Sequence, residues 1–547
     1  MAPETVLRDA RDFIAQGDLP SALALLQAAR LRCADHAGIA LLLADVLQGS
    51  GRIREAVAAY TAGLALNDMS ADGWYGAGCA HLALSAPASA AACFSRASAL
   101  APNAGPVWHN LGKSLFALGR IESAVSAFER AAALGDAAAK LARESLACII
   151  PGDPRADHEA VLRARRSWAE QVAPAAVPPM ARPAAGRKLR VAYLSAFFGA
   201  ANWMKPVFAL INRHDRSAFD VFMLSDGELP SAASGYRDHD LDTIGDLRGV
   251  NNERAAHIIA GLGIDILVDL NGYSFQGRLP LLMHRPAPVI VGWFNMFSTT
   301  GIAAYDWLVG DDRVIRSVEE PFYSERIHRL PGTYLAFEVR YQVPDVAPPP
   351  CIVTGQPITF GSLGSQYKLT DAVLGAWAQI LLGAPGTRLF LKNATLDDVS
   401  VRDDLMSRLV GRGIAAERVT LQGRSPHFDF LDAYRHVDIA LDTFPYNGGT
   451  TTTEALWQGV PVLTFDGDRW ASRTSASLLH AAGLADWVLA DLRGTIDRAI
   501  LLGSDPATPA MLATLRQGMR NRLLASAACD ADGLCRAMES FYRAVSR

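Results

Sequence analysis

Cysteine is scarce and scattered in this chain. Its seven residues (Cys33, Cys79, Cys93, Cys148, Cys351, Cys529 and Cys535) show no C-x-x-C spacing and no histidine partners. That excludes a disulfide framework and a zinc site, and each is expected to pack as a small apolar side chain. An excess of charge is also missing. Lysine and arginine total 52 against 56 acidic residues, a net charge of −4. No overall field would hold nucleic acid or an anionic membrane, so any anion site must be local. Long apolar runs are absent as well, none approaching the roughly 18 residues that span a bilayer. The opening MAPETVLRDA lacks a basic stretch followed by an apolar core, and a cytoplasmic location is expected. No D-x-D element sits convincingly at a strand end, since Asp240-Leu241-Asp242 falls in a polar loop region. No metal is expected.

What is present is ordinary globular usage, half hydrophobic and a fifth charged, over 547 residues. That length suggests three or four domains. Residues 1–150 repeat. Gly17, Gly51 and Gly119 stand at a spacing of 34 or its multiple, and Ser85 fills the missing place. In frame with them come Ala22, Ala56, Ala90 and Ala124, then Leu26, Tyr60, Phe94 and Phe128, then Ala29, Gly63, Ala97 and Ala131; Trp74 and Trp108 are one period apart. A turn residue, small residues where helices meet and an aromatic between them make the tetratricopeptide pattern, a helical solenoid with a concave groove for an extended peptide. The groove's ligand cannot be read from these residues, all of which simple packing explains.

Residues 151–187 read as a linker, helical near Asp157 to Gln171 and then rich in proline and alanine from Ala173 to Lys188. From Leu189 the texture changes to short apolar runs separated by helical patterns: LRVAYLSA, FDVFMLSD, DILVDLN, PVIVGWF and WLVGDD, then ITFGSLG, RLFLKN, VTLQG, IALDTF and PVLTFD. Near-continuous apolar strands between helices mean parallel sheets covered on both faces. The proline-rich VPDVAPPP separates the two series. The expectation is two Rossmann-like domains, 188–345 and 346–547, behind the solenoid, with ligands at the carboxyl ends of the strands.

One such end carries PYNGGTTTTEALWQGVPV, Pro445 to Val462. The spacing predicts a strand, a tight turn through Asn447, Gly448 and Gly449, and a helix whose first turn is threonine. Uncapped amides at a helix start attract phosphate, and neighbouring hydroxyls add donors without bulk. Glu454, one turn further in, is placed to accept hydrogen bonds from ribose. Together these read as a nucleotide diphosphate site. The alternative is a threonine-capped helix with Glu454 part of its capping.

The stretch LDTFPYNGGTTTTEALWQGVPVLTFDGDRWASR resembles the donor-binding segment of the O-linked N-acetylglucosaminyltransferase family, tetratricopeptide repeats followed by a two-Rossmann GT-B region. DILVDLNGY, RPAPVIVGWFNMFSTTG, EPFYSERIHRLPGTYL and FGSLGSQYKLTDAVLGAWAQIL extend the likeness over nearly the whole chain. The resemblance implies an inverting, metal-independent protein glycosyltransferase that needs no cofactor beyond its nucleotide-sugar donor, UDP-N-acetylglucosamine favoured. It implies Thr450 and Thr451 on the donor pyrophosphate, Glu454 on ribose, Lys368 on the diphosphate, and Arg424 with His427 at the nucleobase. Asp269 and Asn271, ending a strand, and the loop holding Thr299, Thr300 and Gly301 resemble the sugar or acceptor side of the cleft. A structural role for them is an equal alternative to a catalytic one. Bacterial relatives with this layout include flagellin glycosyltransferases, which makes flagellin a candidate acceptor.

Two places depart from the family. A His-Pro-x-x-His-like element is replaced by SAFFGAANWMKPVF, Ser195 to Phe208, which looks shortened and holds no histidine, and Gly449 stands where well-known members have histidine. Asp269, Asn271, Lys205 and Tyr273 remain as candidates for handling the acceptor proton. The missing histidine also motivates a second reading, a repeat-based adaptor whose degenerate GT-B half only binds nucleotide or partner. A GT-B epimerase would share the sheets but give no reason for a peptide-binding array.

Overall fold

The 34-residue period becomes helical hairpins because its turn positions take backbone that cannot continue a helix. In the computed structural model, which describes residues 2–174 and 186–546, Gly17, Gly51 and Gly119 have φ of 77°, 76° and 77°. Ser85, the odd member of the frame, is forced to 58°. Among the described residues nine helices follow one another from Pro3 to Ile149. The in-frame small residues are steric requirements: a Cβ on Gly78 or Gly112 would lie 2.6 Å from the rings of Phe94 or Phe128. Leu26, Tyr60, Phe94 and Phe128 are buried as the frame predicts. Most of the proline-rich stretch lies outside the described residues.

The chain divides into two compact units. One is Met1–Leu146 with Thr395–Arg408, the other Ala147–Ala394 with Leu409–Arg547. Within the first, Asp404 pairs with Arg120, and Arg408 donates to the Leu118 carbonyl at 2.9 Å.

The second unit holds two parallel sheets. The first contains β1 (Leu189–Ser195), β2 (Phe219–Ser225), β3 (Thr243–Asp246), β4 (Ile266–Asp269), β5 (Val289–Gly292), β6 (Trp307–Asp311) and β7 (Arg326–Leu330), in the order β3-β2-β1-β4-β5-β6-β7. The second contains β8 (Thr359–Ser362), β9 (Arg388–Lys392), β10 (Val419–Gln422), β11 (Ile439–Leu441), β12 (Val462–Phe465) and β13 (Val488–Leu489), in the order β10-β9-β8-β11-β12-β13. Each sheet winds outward from its first strand in one direction and then the other, so each has a switch point, between β1 and β4 and between β8 and β11. Crevices open there at the strands' carboxyl ends.

Alternate residues of β1 enter opposite faces, Val191 and Tyr193 one core, Ala192 and Leu194 the other. The first of these cores is completed from far along the chain. The helix Ala531–Val545 leaves the second sheet and covers the first, burying Leu534, Met538, Phe541 and Tyr542 against it. Its Glu539 accepts from His214 Nδ1 at 3.0 Å and from the Asp215 amide at 2.8 Å. Asp242, from the D-x-D stretch, is committed to Arg216 at 2.7 Å and Tyr236 at 2.8 Å. Among the described residues no helix is long and apolar enough to cross a membrane.

Candidate functional site

The residues singled out from the sequence gather at the two switch points. On the second sheet, β11 runs into a turn fixed by Asp442. One of its oxygens accepts the amides of Thr443 (3.0 Å) and Gly448 (2.9 Å), the other the Thr464 hydroxyl (2.8 Å). Burial raises this carboxyl above its ordinary range. The turn delivers the helix Thr450–Trp457, whose N-cap, Gly449, supplies no side chain to its first amides.

The four threonines then divide. The Thr452 hydroxyl bonds Ser475 at 2.8 Å, and that of Thr453 donates to the Thr450 carbonyl at 2.7 Å, both buried. The Thr450 and Thr451 hydroxyls are half-buried and make no hydrogen bond among the described residues. A Cβ on Gly448 would meet the Thr452 and Thr451 oxygens at 2.6 and 2.7 Å, so only glycine fits there. At Gly449 a Cβ would meet Thr474 at an ordinary 3.5 Å.

Lys368 ends the loop after β8 and reaches across to this turn, donating to the Asn447 carbonyl at 2.8 Å, with its ammonium 4.6 Å from the centre of the Tyr446 ring. Burial pushes its pKa down to about 8, opposed by Asp442. Asn447 itself is buried, and both polar atoms of its side chain lack a hydrogen-bond partner among the described residues. Buried amides are rarely left so, and this one lies beside an ammonium and a bare helix start, as a ligand site would have it.

Glu454 is buried one turn in. Asn202 donates to its Oε1 at 3.3 Å, Lys205 Nζ lies 3.9 Å from the same oxygen, and His427 Nε2 lies 3.6 Å from it. Burial raises the Glu454 carboxyl, with Lys205 and Asn202 acting against it. The loop that lost its histidine is thus the one that brings Asn202 and Lys205 to the donor half's carboxylate. His427 packs edge-on to Tyr341 with ring centres 5.2 Å apart, and burial lowers its pKa. Arg424 is exposed, three residues ahead of it.

On the first sheet, Asp269 ends β4 with its oxygens on the amides of Asn271 (3.0 Å) and Gly272 (2.9 Å) and on the Tyr305 hydroxyl (2.7 Å). Asn271 accepts from the Ala196 amide at 2.8 Å and so sets the start of the loop after β1. Thr299 and Thr300 close around buried Glu325, Thr299 Oγ1 at 2.8 Å and the Thr300 amide at 2.6 Å. Arg165 donates to the Thr299 carbonyl at 2.6 Å. Gly301, at φ 69°, lets this loop touch the helix His158–Val172, since a Cβ would lie 2.7 Å from the Cβ of Arg165. Phe297, from the same loop, meets Tyr446 of the opposite sheet with ring centres 5.1 Å apart.

Against known families, residues 173–348 and 351–538 match the model described as glycosyl transferase family 41. The chain belongs to glycosyl transferase family 41. Residues 41–105 and 105–134 match tetratricopeptide repeats. A mutant of the Thermobaculum terrenum O-GlcNAc transferase is similar in structure, with TM-score 0.75 and 31% identity, covering 93% of this chain and 98% of that one. Among curated relatives, the probable UDP-N-acetylglucosamine–peptide N-acetylglucosaminyltransferase SPINDLY of Petunia hybrida is 31% identical over 366 residues, and that of Hordeum vulgare 32% over 367. Each alignment covers 66% of this chain but only 39% and 38% of those proteins. The family 41 chain therefore spans well under half the length of these relatives.

Within the family 41 fold, Lys368, Asn447, Gly448, Thr450, Thr451, Glu454 and His427 come from the second sheet's loops. Asp269, Asn271, Thr299, Thr300 and Gly301 stand instead as the buried framework of the first sheet's loops. Sequence reasoning missed Asn202, Tyr341 and Asp442 as site residues. Asp442 carried a signal, an aspartate at the end of an apolar strand. Tyr341 carried none, since it sits in the stretch between the two strand series.

Proposed function

We propose that the chain is a protein glycosyltransferase moving a sugar from a nucleotide sugar, UDP-N-acetylglucosamine favoured, to serine or threonine hydroxyls of a protein recruited by the repeats. One observation carries this reading: after β11, the hydroxyls of Thr450 and Thr451 make no hydrogen bond among the described residues, and neither do the two side-chain polar atoms of Asn447, whose carbonyl Lys368 holds. An adaptor that bound only a protein partner would have no use for such a row. The relatives' names support the choice of donor.

In this reading the donor's diphosphate lies on the first turn of the helix Thr450–Trp457, where amides and hydroxyls face it. Glu454 takes the ribose hydroxyls, with His427 and Arg424 toward the base. The acceptor oxygen attacks the anomeric carbon, the bond from that carbon to the phosphate oxygen breaks, and the nucleoside diphosphate leaves with the electron pair. Lys368 offsets the charge growing on it, a stabilisation needed most in the transition state. Asp269 and Asn271 act as positioning residues, the Asp269 oxygens holding the Asn271 and Gly272 amides and Asn271 Oδ1 the Ala196 amide. The acceptor proton passes to donor phosphate or water. Flagellin is the acceptor that the bacterial resemblance singles out.

The test incubates the protein with a panel of nucleotide sugars and a lysate, then with purified flagellin, following intact-mass shifts. Transfer from UDP-N-acetylglucosamine is the expected result. Nucleotide binding without transfer from any donor would return the adaptor reading.

A further inference from the structure

Three segments converge on one carboxylate oxygen. Asn202 from the loop after β1, Lys205 from the helix Lys205–Ile211 and His427 from the helix His427–Asp432 all point at Glu454 Oε1. Lys205 and Glu454 are 4% and 2% exposed. An ion pair this deep that served stability alone would close to about 2.7–2.9 Å and have its remaining positions filled. This pair stands at 3.9 Å. Lys205 donates to the Tyr341 hydroxyl at 3.3 Å, one bond for a group with three N–H. Among the described residues the Glu454 carboxylate accepts one hydrogen bond, from the Asn202 side chain, and buried His427 Nε2 makes none. The cluster is buried and under-bonded among the described residues, which is the state of a site awaiting a polyhydroxylated ligand.

We propose that Lys205 is a positioning residue for the donor's ribose: as the buried counter-ion of Glu454 it keeps that carboxylate ionised, an acceptor for both ribose hydroxyls, so that the site selects ribose over 2′-deoxyribose. The inference rests on the donor reading above. An ionised carboxylate accepts from two hydroxyls at once, whereas a protonated one must turn a donor toward one of them. Without Lys205, burial alone would act on Glu454 and drive it toward the neutral acid. The groups facing Lys205 are Glu454, Asn202, Tyr341 and His427, and burial together with Lys205 holds His427 toward its neutral form. Burial also pushes Lys205 down, to about 8, which still leaves an ammonium at neutral pH. A histidine buried at this place would be mostly uncharged. The lysine therefore supplies a standing charge to a loop that has no imidazole.

Calorimetric titration with UDP and with 2′-deoxy-UDP tests this. Both ligands carry the same diphosphate, so the ratio of their affinities cancels what Lys368, Thr450 and Thr451 contribute. The wild-type chain should prefer UDP by about 10–100-fold, the worth of one hydrogen bond to a charged group. Lys205→Met should bring the ratio within about threefold while diphosphate-dependent binding persists. A ratio unchanged in Lys205→Met overturns the inference and leaves the donor reading intact. Wild-type protein that binds no nucleoside diphosphate overturns the donor reading, and this inference with it. If Lys205→Met does not fold, the neutral but polar Lys205→Gln replaces it: a collapsed ratio supports the assignment, a wild-type ratio overturns it.

Discussion

Thr450 and Thr451 differ from Thr452 and Thr453 only in the side of one helical turn they occupy, yet the difference separates two kinds of work. The inner pair holds the helix to its neighbours, Thr452 through Ser475 and Thr453 through the Thr450 carbonyl. The hydroxyls of the outer pair make no hydrogen bond among the described residues. Thr451→Val should therefore weaken UDP binding about tenfold with the melting temperature unchanged. Thr452→Val should cost about 1 kcal/mol of stability and leave affinity within about twofold. Calorimetry and a thermal melt on the same two proteins check both halves. Lys368 gives a second residue-scale prediction. Lys368→Met should lower transfer by about 10²–10³-fold without changing the circular dichroism spectrum. The pH dependence has a definite sign. With folded pKa values of about 8 for Lys368 and Lys205 and an ordinary value of about 10.4 in the unfolded chain, the unfolded state binds more protons between these limits. The lysines' contribution to stability thus rises across that window as their burden is relieved. Transfer should fall across the same window, because the ammonium facing the diphosphate is lost. Rate and melting temperature should move in opposite directions above pH 8. Much of this chemistry was legible: glycines, threonines and a carboxylate at a strand end have few other uses together. The pairing of Lys205 with Glu454 was not, since some 250 residues of chain separate them and only folding brings them within 3.9 Å.

Elements were legible in proportion to how deeply they are buried. The ten strands read as apolar runs all appear. The three that went unread, β3, β7 and β13, are each at the edge of a sheet. An edge strand needs an apolar face toward one neighbour only, and TIGD, RIHRL and VL give no continuous run. The repeats were legible for the opposite reason, that their period repeats a steric demand. Ser85 is where that demand is poorly met, a side chain held in left-handed backbone at φ 58°. Ser85→Gly should relieve roughly 0.5–1 kcal/mol. Amide exchange in the helices Ala71–Ala83 and Pro87–Leu100 should slow by about two- to fivefold, provided local opening sets the exchange rate. Unchanged or faster exchange would mean that the turn is not strained.

At the scale of the second unit, the two sheets are joined by buried polar contacts as well as by the cleft. Arg473, fully buried, pairs with Glu319 and donates to the Val314 carbonyl at 3.0 Å. Ser477 reaches Asp311 at 2.6 Å, and Trp470 donates to the Tyr334 hydroxyl at 3.0 Å. Arg473→Met would leave buried Glu319 with the Arg316 amide at 3.3 Å and His158 at 3.8 Å but without its guanidinium partner. The expected loss is about 3–5 kcal/mol, partly restored by adding Glu319→Gln. Urea unfolding of the single and double variants measures it, and equal midpoints for wild type and Arg473→Met would assign the pair no structural weight. The helix Ala531–Val545 ties the ends of this unit together in another way. Tyr193, Phe219 and Met223 form a face of the first sheet that this helix helps to cover, yet the sheet's last strand ends at Leu330. During synthesis the whole second sheet must emerge before the cover does. At roughly 5–20 residues per second, the interval is roughly ten to forty seconds. For that time a nascent chain carries a finished sheet with one greasy side open, so the order of translation, rather than the stability of the end product, sets when this protein is most exposed to aggregation.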